Sequence, residues 1–513
     1  MNYDEIFPKI VSHAKEYGFV FPSSEIYDGL GAVYDYGPLG VELKQNIKTA
    51  WWKAMVQMHE NIVGLDAAIL MHPTTWKASG HVDAFNDPLI DNKVSKKRYR
   101  ADVLIEDQIA KYEQKALKDA NKKARKDGWE VGGEEFNKFL TNSRNGKKAA
   151  DLQARFEEVL NADDLTGLRQ IIIDEGIVDP ESGSKDWSEV RQFNLMFKTQ
   201  LGATADSALD LYMRPETAQG IFVNYLNVQK TTRQKLPFGI AQIGKAFRNE
   251  IIARQFIFRM REFEQMEMQY FIKPGSQGEW FDYWKNHRMK WHHALGLTPD
   301  HLRYHVHEKL AHYADAAEDI QFNFPFGFKE LEGIHSRTDF DLASHQEFSG
   351  KKLQFFDPET RESYVPYVIE TSVGLDRTFL AHLSGAYREE KAPTAKGGTE
   401  VRTVLKLHPV LAPYKVAVLP LVKKDELPDI ARSIINRLKL DHNVAYDEKD
   451  SVGRRYRRHD AIGTPFCVTV DYETKEDNSV TIRERDSMKQ DRIPIDQIPA
   501  YISEKLSWST VLG

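Results

Sequence analysis

The amino-acid sequence predicts an α+β protein built from an antiparallel sheet region, an inserted run of helices and a small α/β domain at the C-terminal end. Three observations carry this. The segments "GIAQIGKAFRNE" and "RMREFEQMEMQYF" alternate as strands do about a short loop, "IIARQFIF", and read as a long antiparallel hairpin. Between about Ile105 and Val190 the composition turns to Lys, Glu, Asp and Asn, as solvated helices broken at Gly128 and Gly132. From Val416 onward an apolar run, an amphipathic helix (Asp429 to Leu440), a short run at Val444, an apolar run (Phe466 to Val470) and a final strand and helix alternate at α/β spacing.

Bulk properties frame these parts. A chain of 513 residues with 41% hydrophobic content is long enough for roughly two to four domains. The N-terminal stretch "MNYDEIFPKIVSHAKEYGFVF" is charged throughout, and no later segment has the length of a membrane span, so a cytoplasmic protein is expected. One cysteine, Cys467, excludes an internal disulfide and a cysteine-clustered zinc site. A net charge of −6 argues against a uniformly basic nucleic-acid coat and leaves room for a local positive patch.

Taken in chain order, Leu43, Ile47, Trp51, Met55, Met58 and Ile62 recur at steps of four and three, one apolar helical stripe. Periodicity leaves open whether it packs on its own domain or on another subunit. The apolar run after it is halted at Pro73, which cannot continue a central strand. The stretch "REEKAPTAKGGTEVRTVLKLHP" gathers Pro, Gly and charge and reads as a linker. The basic segment "KALKDANKKARK" is interspersed with acids, which favours a solvent-facing surface over a nucleic-acid contact.

The hairpin is where chemistry concentrates. Alternation puts Arg261, Phe263, Gln265, Glu267 and Gln269 on one face, and Glu262, Glu264, Met266, Met268 and Tyr270 on the other. The first face suits a polar ligand with a flat ring, or else a salt-bridged solvent face. "RPETAQGIF" adds Glu216. "PYVIETSVGLDRTFLAHL" runs from a strand presenting Glu370 and Ser372, through a turn at Gly374, to a helix opening with Asp376 and Arg377. Such a helix start favours an anion.

These residues carry a resemblance. "FRNE…FRMREFEQMEMQYF" resembles motif 2 of class II aminoacyl-tRNA synthetases, "VGLDRTFLA" resembles motif 3, and the helix, strand and proline unit ending at Pro73 resembles motif 1. More narrowly, "SEIYDGLGAVYDYGPLGVELKQNI", "WKASGHVDAFNDPL", "RPETAQGIFVNY", "KELEGIHSRTDFDL" and "IETSVGLDR" resemble the dimeric glycyl-tRNA synthetases over nearly the whole chain outside the insertion. Asp28 stands where that family leads one to expect glycine.

The resemblance implies a catalytic core over residues 1–104 and 191–400, a helical insertion over 105–190 and an anticodon-binding domain over 401–513. The core would be an antiparallel sheet flanked by helices, in agreement with the missing GxxxxGK[ST] pattern. It also favours the subunit-interface reading of the stripe and hence a homodimer. It implies ATP-dependent activation of glycine to an adenylate, then transfer to tRNA(Gly). Arg248 and Arg377 would be catalytic. Arg248 takes the α-phosphate and the amino-acid carboxylate, Phe263 faces adenine, and Arg259 and Arg377 clamp the β and γ phosphates. Asn249, Glu250, Phe258, Arg261, Leu331, Gly374 and Asp376 complete the ATP set, and Glu330 is the candidate for Mg2+. Glycine would be held by Glu216, Glu267, Glu370 and Ser372, with Phe263, Glu264 and Gln265 nearby and Arg100 and Arg337 orienting the acids or the substrate carboxylate. Acids so close resist ionising together unless a substrate ammonium compensates them. Glycine being smallest, exclusion by size suffices and no editing domain is expected. Arg454, Arg455, Arg457 and Arg458 in "GRRYRRHD" would face tRNA.

Other classes of function fare worse. A synthetase-like accessory subunit of a DNA polymerase should lack the ATP-clamping residues, which are present here. A threonyl relative should show a zinc-binding cysteine and histidine set, which a single cysteine disfavours; histidyl and prolyl relatives are the other sister enzymes. "HVHEKLAH" places His307 and His312 five residues apart, where a zinc-protease helix needs four, so no zinc is expected.

Overall fold

The expected hairpin forms part of a larger sheet. Strands β1 (Ile62–Gly64), β2 (Phe238–Phe247), β3 (Glu262–Ile272), β4 (Leu302–Val306), β5 (Ala316–Phe324), β6 (Gly327–Thr338) and β7 (Tyr367–Gly374) make one seven-stranded sheet in the order β4-β5-β6-β7-β3-β2-β1. All its pairs are antiparallel except β1 with β2. The structure, a computed structural model, describes residues 3–202, 209–251, 255–307, 310, 314–393 and 397–512. It divides into two compact units: Met1–Ser79 with Lys198–Phe247 and Arg254–Gly513, and Gly80–Phe197 with Arg248–Ala253. Residues 252–254 of the hairpin loop and His312 lie outside the described residues.

Alternation along β3 sorts the two faces of the sheet as expected. Met266, Met268, Tyr270 and Ile272 enter the main apolar core with α1 (Pro38–Trp52), α2 (Gln277–Ala294) and α4 (Leu375–Ala386), whose Leu43, Trp284 and Phe379 are fully buried. Gln265, Glu267 and Gln269 face the other way, and Phe271 closes that face against Phe222 and Tyr225. Helix α3 (Phe340–Ser349) contributes Leu342 to the same cluster.

Helix α1 begins with Pro38 in its first turn, where no N–H is needed. Leu43, Ile47 and Trp51, with Met55 on the π segment Lys53–Gln57 that follows, are buried in the chain's own core. The stripe ends there. Met58 is 53% exposed and Ile62 sits on β1, so the predicted helical period overruns the helix. An own-domain role therefore accounts for the buried residues of the stripe. Pro73 opens a short helix, Pro73–Ala78. Asp28, where glycine was expected, adopts φ 65°, a left-handed conformation that short polar Asp tolerates better than most residues.

The stretch read as a linker is instead a two-stranded ladder: β8 (Tyr387–Pro393) pairs with β9 (Thr399–Leu405) from Tyr387↔Leu405 to Pro393↔Thr399. Beyond it β10 (Val416–Pro420), β11 (Val444–Tyr446), β12 (Phe466–Val470), β13 (Ser479–Glu484) and β14 (Gln490–Pro494) form a five-stranded sheet in the order β11-β10-β12-β13-β14, with α5 (Leu427–Leu438) and α6 (Val452–Ala461). β10 is parallel to both neighbours and the last two pairings are antiparallel, one strand more than the sequence suggested.

The second unit has a core of its own. Ile105, Ile109, Leu152, Phe156, Leu168, Ile172 and Trp187 pack together from helices Ala101–Asp127, Arg144–Asn161 and Leu165–Asp174 and the segment after them. The first helix starts at Ala101, before the predicted insertion boundary, and ends where Gly128 turns left-handed at φ 74°. The polar composition reflects its outer face only.

Candidate active site

Four adjacent strands, β6, β7, β3 and β2, present polar side chains on one face. The ladder sets Glu267 beside Ser372 and Gln242, and Glu370 beside Gln269 and His335. Glu267 and Glu370 are 2% and 4% exposed, so burial places their charge in competition with its own desolvation.

The two carboxylates are satisfied by different kinds of donor. Glu267 accepts from Thr217 Oγ1 (2.6 Å), Ser372 Oγ (2.6 Å) and Gln265 Nε2 (3.0 Å), all neutral. Glu370 accepts from Gln269 Nε2 (2.6 Å), from Arg337 at both oxygens (3.2 Å each) and from His335 Nδ1 (2.9 Å). Burial, then the charges of Glu370 and Glu216, push Glu267 up to about 8. Burial also opposes ionisation of Glu370, but Arg337 and His335 outweigh it and hold its carboxyl far below the usual range. Without a cationic ligand, one carboxyl stays ionised and the other keeps its proton near neutrality.

Arg337 is the hinge of the cluster. Its Nε and second terminal nitrogen grip Asp341 at 2.8 and 3.0 Å while the first holds Glu370. Gln219 links Glu216 (3.1 Å) to the same Asp341 (2.9 Å), and His345 Nε2 meets Gln219 Oε1 at 2.8 Å. Arg214 donates to the Lys245 and Ala67 carbonyls, and a Cβ on Gly244 would come within 2.2 Å of its guanidinium, so a side chain there would have to displace that end of Arg214.

On the nucleotide side, Arg377 leaves the first turn of α4. Its guanidinium lies 4.4 Å over Phe258, donates to the Phe258 carbonyl (3.3 Å) and pairs with Glu330 (3.0 Å). Phe258 is braced by Phe324 and Phe326. Arg261 donates to the Gly31 carbonyl (2.8 Å), Phe263 packs at the edge of the main core, and Arg259 follows the Phe256–Phe258 turn. Among the described residues no group of three or more His, Cys, Asp or Glu is placed to hold a metal.

Three expected residues of the first unit, Glu264, Asp376 and Leu331, have their side chains engaged elsewhere. Glu264 points to the opposite face of β3 from Glu267, where Lys44 (2.7 Å) and Lys48 (3.3 Å) pair with it. Asp376 is buried beneath the α4 turn, accepting from Lys44 (3.0 Å), the Glu264 N–H (2.7 Å) and the Tyr36 hydroxyl. It ties α1, β3 and α4 together through its side chain. Leu331 is a core residue. Arg248 and Arg100 belong to the second unit: Arg248 lies 5.4 Å over Phe85, and Arg100 is held by Asp87 (3.0 Å) and Asp102 (2.6 Å). In the same unit, the Asn249 N–H donates to the Leu195 carbonyl and the Glu250 N–H to that of Arg248.

The four arginines of α6 differ in exposure: one is buried, two are half-exposed in ion pairs and one is exposed. Arg455 is buried and donates to the Pro420, Leu421 and Asp447 carbonyls, Arg457 pairs with Glu400 and Asp460, and Arg458 with Asp447 and Asp450. Arg454 is 77% exposed. Sequence reasoning missed Thr217, Gln219, His335 and Asp341 as members of the site. The last two lie inside "KELEGIHSRTDFDL", and strand alternation from Arg337 would have flagged His335.

The family comparisons agree with this architecture. The model described as "tRNA synthetase class II core domain (G, H, P, S and T)" matches residues 197–386, and "Anticodon binding domain" matches 415–505. Core and sheet together define a class II aminoacyl-tRNA synthetase. "Glycyl-tRNA synthetase insertion domain 1" matches residues 87–195. The chain is 52% identical over 501 residues to the glycine–tRNA ligase of Chlorobaculum tepidum, covering 97% of this chain and 99% of that one. It is 51% identical to that of Staphylococcus haemolyticus, covering 97% and 98%. The chain belongs to the glycine–tRNA ligase family. A crystal structure of prolyl-tRNA synthetase from Cryptosporidium parvum complexed with L-proline and AMP matches with a TM-score of 0.56 at 13% identity, covering 98% of this chain and 76% of that one, and shows the shared fold.

Proposed function

We infer that this chain condenses glycine with ATP to glycyl-adenylate and pyrophosphate, then transfers the glycyl group to the 3′ end of tRNA(Gly). The observation that carries the reading is the unequal carboxylate pair. Glycine has no side chain to recognise, so its ammonium and carboxylate must supply affinity. Glu370, kept ionised by Arg337 and His335, offers a ready anion. Glu267 gains its charge as the ammonium arrives, since the ligand cancels the repulsion from Glu370 and Glu216. Ser372, hydrogen-bonded to Glu267, stands where a larger side chain would crowd the floor.

Activation places developing negative charge on the α-phosphate oxygens, so fixed cations lower the barrier and no covalent nucleophile is required. Arg377 is poised for the nucleotide by its stack on Phe258, and exchanging Glu330 for a phosphate costs it little because Glu330 is half-exposed. Arg248 on the α-phosphate and Arg100 near the amino acid rest on motif resemblance. Magnesium would supply charge neutralisation on the phosphates. Glu330, a hard oxygen donor at 51% exposure, fits as its protein ligand, with phosphate and water completing the shell.

The domain scheme of core, insertion and anticodon-binding domain, a homodimeric assembly and a cytoplasmic location belong to the same proposal. Among the described residues no helix is long and apolar enough to cross a membrane. On the C-terminal domain, Arg454 is the most exposed arginine of its run and the first candidate to meet RNA. Glycine-dependent ATP–pyrophosphate exchange, compared with alanine, serine and threonine, tests the reading. Exchange with glycine alone is expected; exchange with none of the four would overturn it.

A further inference from the structure

His335 lies outside the set of residues expected to touch ligand, yet its seat is built around it. It stands on β6 directly across the ladder from Glu370, with Nδ1 2.9 Å from Glu370 Oε1. A Cβ on the neighbouring Gly333 would lie 2.7 Å from its Cε1, so that backbone leaves the ring its room. Behind it His307 stands edge-on at 6.1 Å and pairs with Asp319 at 2.8 Å. The charged groups around the imidazole are thus Glu370 on β7, Arg337 on its own strand and Asp319 on β5, with the His307 ring from the segment after β4 beside Asp319.

Glu370 has only two oxygens, and Arg337 spans both from a single nitrogen. Such a contact leaves the carboxylate free to rotate about its own axis. Gln269 pins one oxygen and His335 pins the other, and between them they set its plane. We propose that His335 is a positioning residue for the amino-acid ammonium, acting through Glu370 by fixing which oxygen faces the substrate. The proposal rests on the glycine-binding reading of the site. His335 touches no substrate itself, so its effect falls on glycine affinity rather than on the chemical step or on ATP.

The test is glycine-dependent ATP–pyrophosphate exchange with the full chain. In His335→Ala the KM for glycine rises about tenfold, the scale expected for losing a hydrogen bond to a charged group. The ATP KM and kcat stay within about twofold. His335→Asn, whose amide N–H reaches the Nδ1 position, recovers most of the glycine affinity. A glycine KM unchanged in His335→Ala would overturn the proposal, as would an ATP KM that rises in step or an Asn variant no better than Ala. Glu370→Gln is the control for the underlying reading. If it leaves the glycine KM untouched, the site assignment itself fails; if it raises the KM while His335→Ala does not, only the role of His335 is overturned.

Discussion

Replacing Glu267 by Gln should stabilise the ligand-free protein while disabling it, and the gain should depend on pH. The amide oxygen can accept from Ser372 and Gln265 in place of one carboxylate oxygen while its NH2 donates to the Thr217 hydroxyl in place of the other, and the group cannot ionise. In the wild type the carboxyl is raised from 4.5 to about 8, so the stability contributed by its retained proton is fully present below 4.5 and is lost as pH climbs from there through 8. A shift of that size corresponds to about 4 to 5 kcal/mol, an upper figure because Glu267 and Glu370 titrate as a pair. Chemical denaturation without substrates at pH 5 and pH 9 measures it. The stability of Glu267→Gln relative to wild type should increase by several kcal/mol between the two, while glycine-dependent exchange falls by about a hundredfold or more. A stability difference that stays constant across that range would refute the claim that burial and neighbouring acids suppress the Glu267 charge.

The remaining predictions concern its neighbours. Arg337→Met strips Glu370 and Asp341 of their shared cation and should cost about 3 to 5 kcal/mol, with a glycine KM that improves as pH rises because Glu370 would now take up a proton near neutrality. Arg377→Ala should raise the ATP KM with little change in stability, since its guanidinium is partly exposed, as exchange kinetics and thermal melts at matched pH would show. In the C-terminal domain Arg455→Met should lower the melting temperature by orphaning buried carbonyls, whereas Arg454→Glu should leave melting unchanged and weaken tRNA binding in a filter assay. Lys44→Met should destabilise by about 3 kcal/mol or more, as Glu264 and Asp376 lose their buried partner.

Much of the fold was legible because strand alternation and helical period are local. The β2–β3 hairpin, the strand, turn and helix around Gly374, and the order of the C-terminal elements followed from side-chain spacing and turn residues. Composition misled where it averages over a surface. The Lys-rich and Glu-rich insertion hides a core built on Ile105, Leu152 and Trp187, and Pro393 and the charged residues before it belong to a strand paired with Thr399–Leu405 rather than to a free linker.

The sequence alone determined which residue types face each side of β3, and so that Glu267 belongs to a polar face and Met266 to the core. It also carried the motifs that mark the family. Only the tertiary structure decided what each charge does, because partners come from strands and helices far apart in the chain. Asp376 and Glu264 fall on the side of Lys44, Arg455 spends its donors on buried carbonyls, and Glu370 differs from Glu267 because Arg337 and His335 reach one carboxylate and not the other. A side chain's identity is local, but its ionisation depends on the burial and the neighbours that folding assembles.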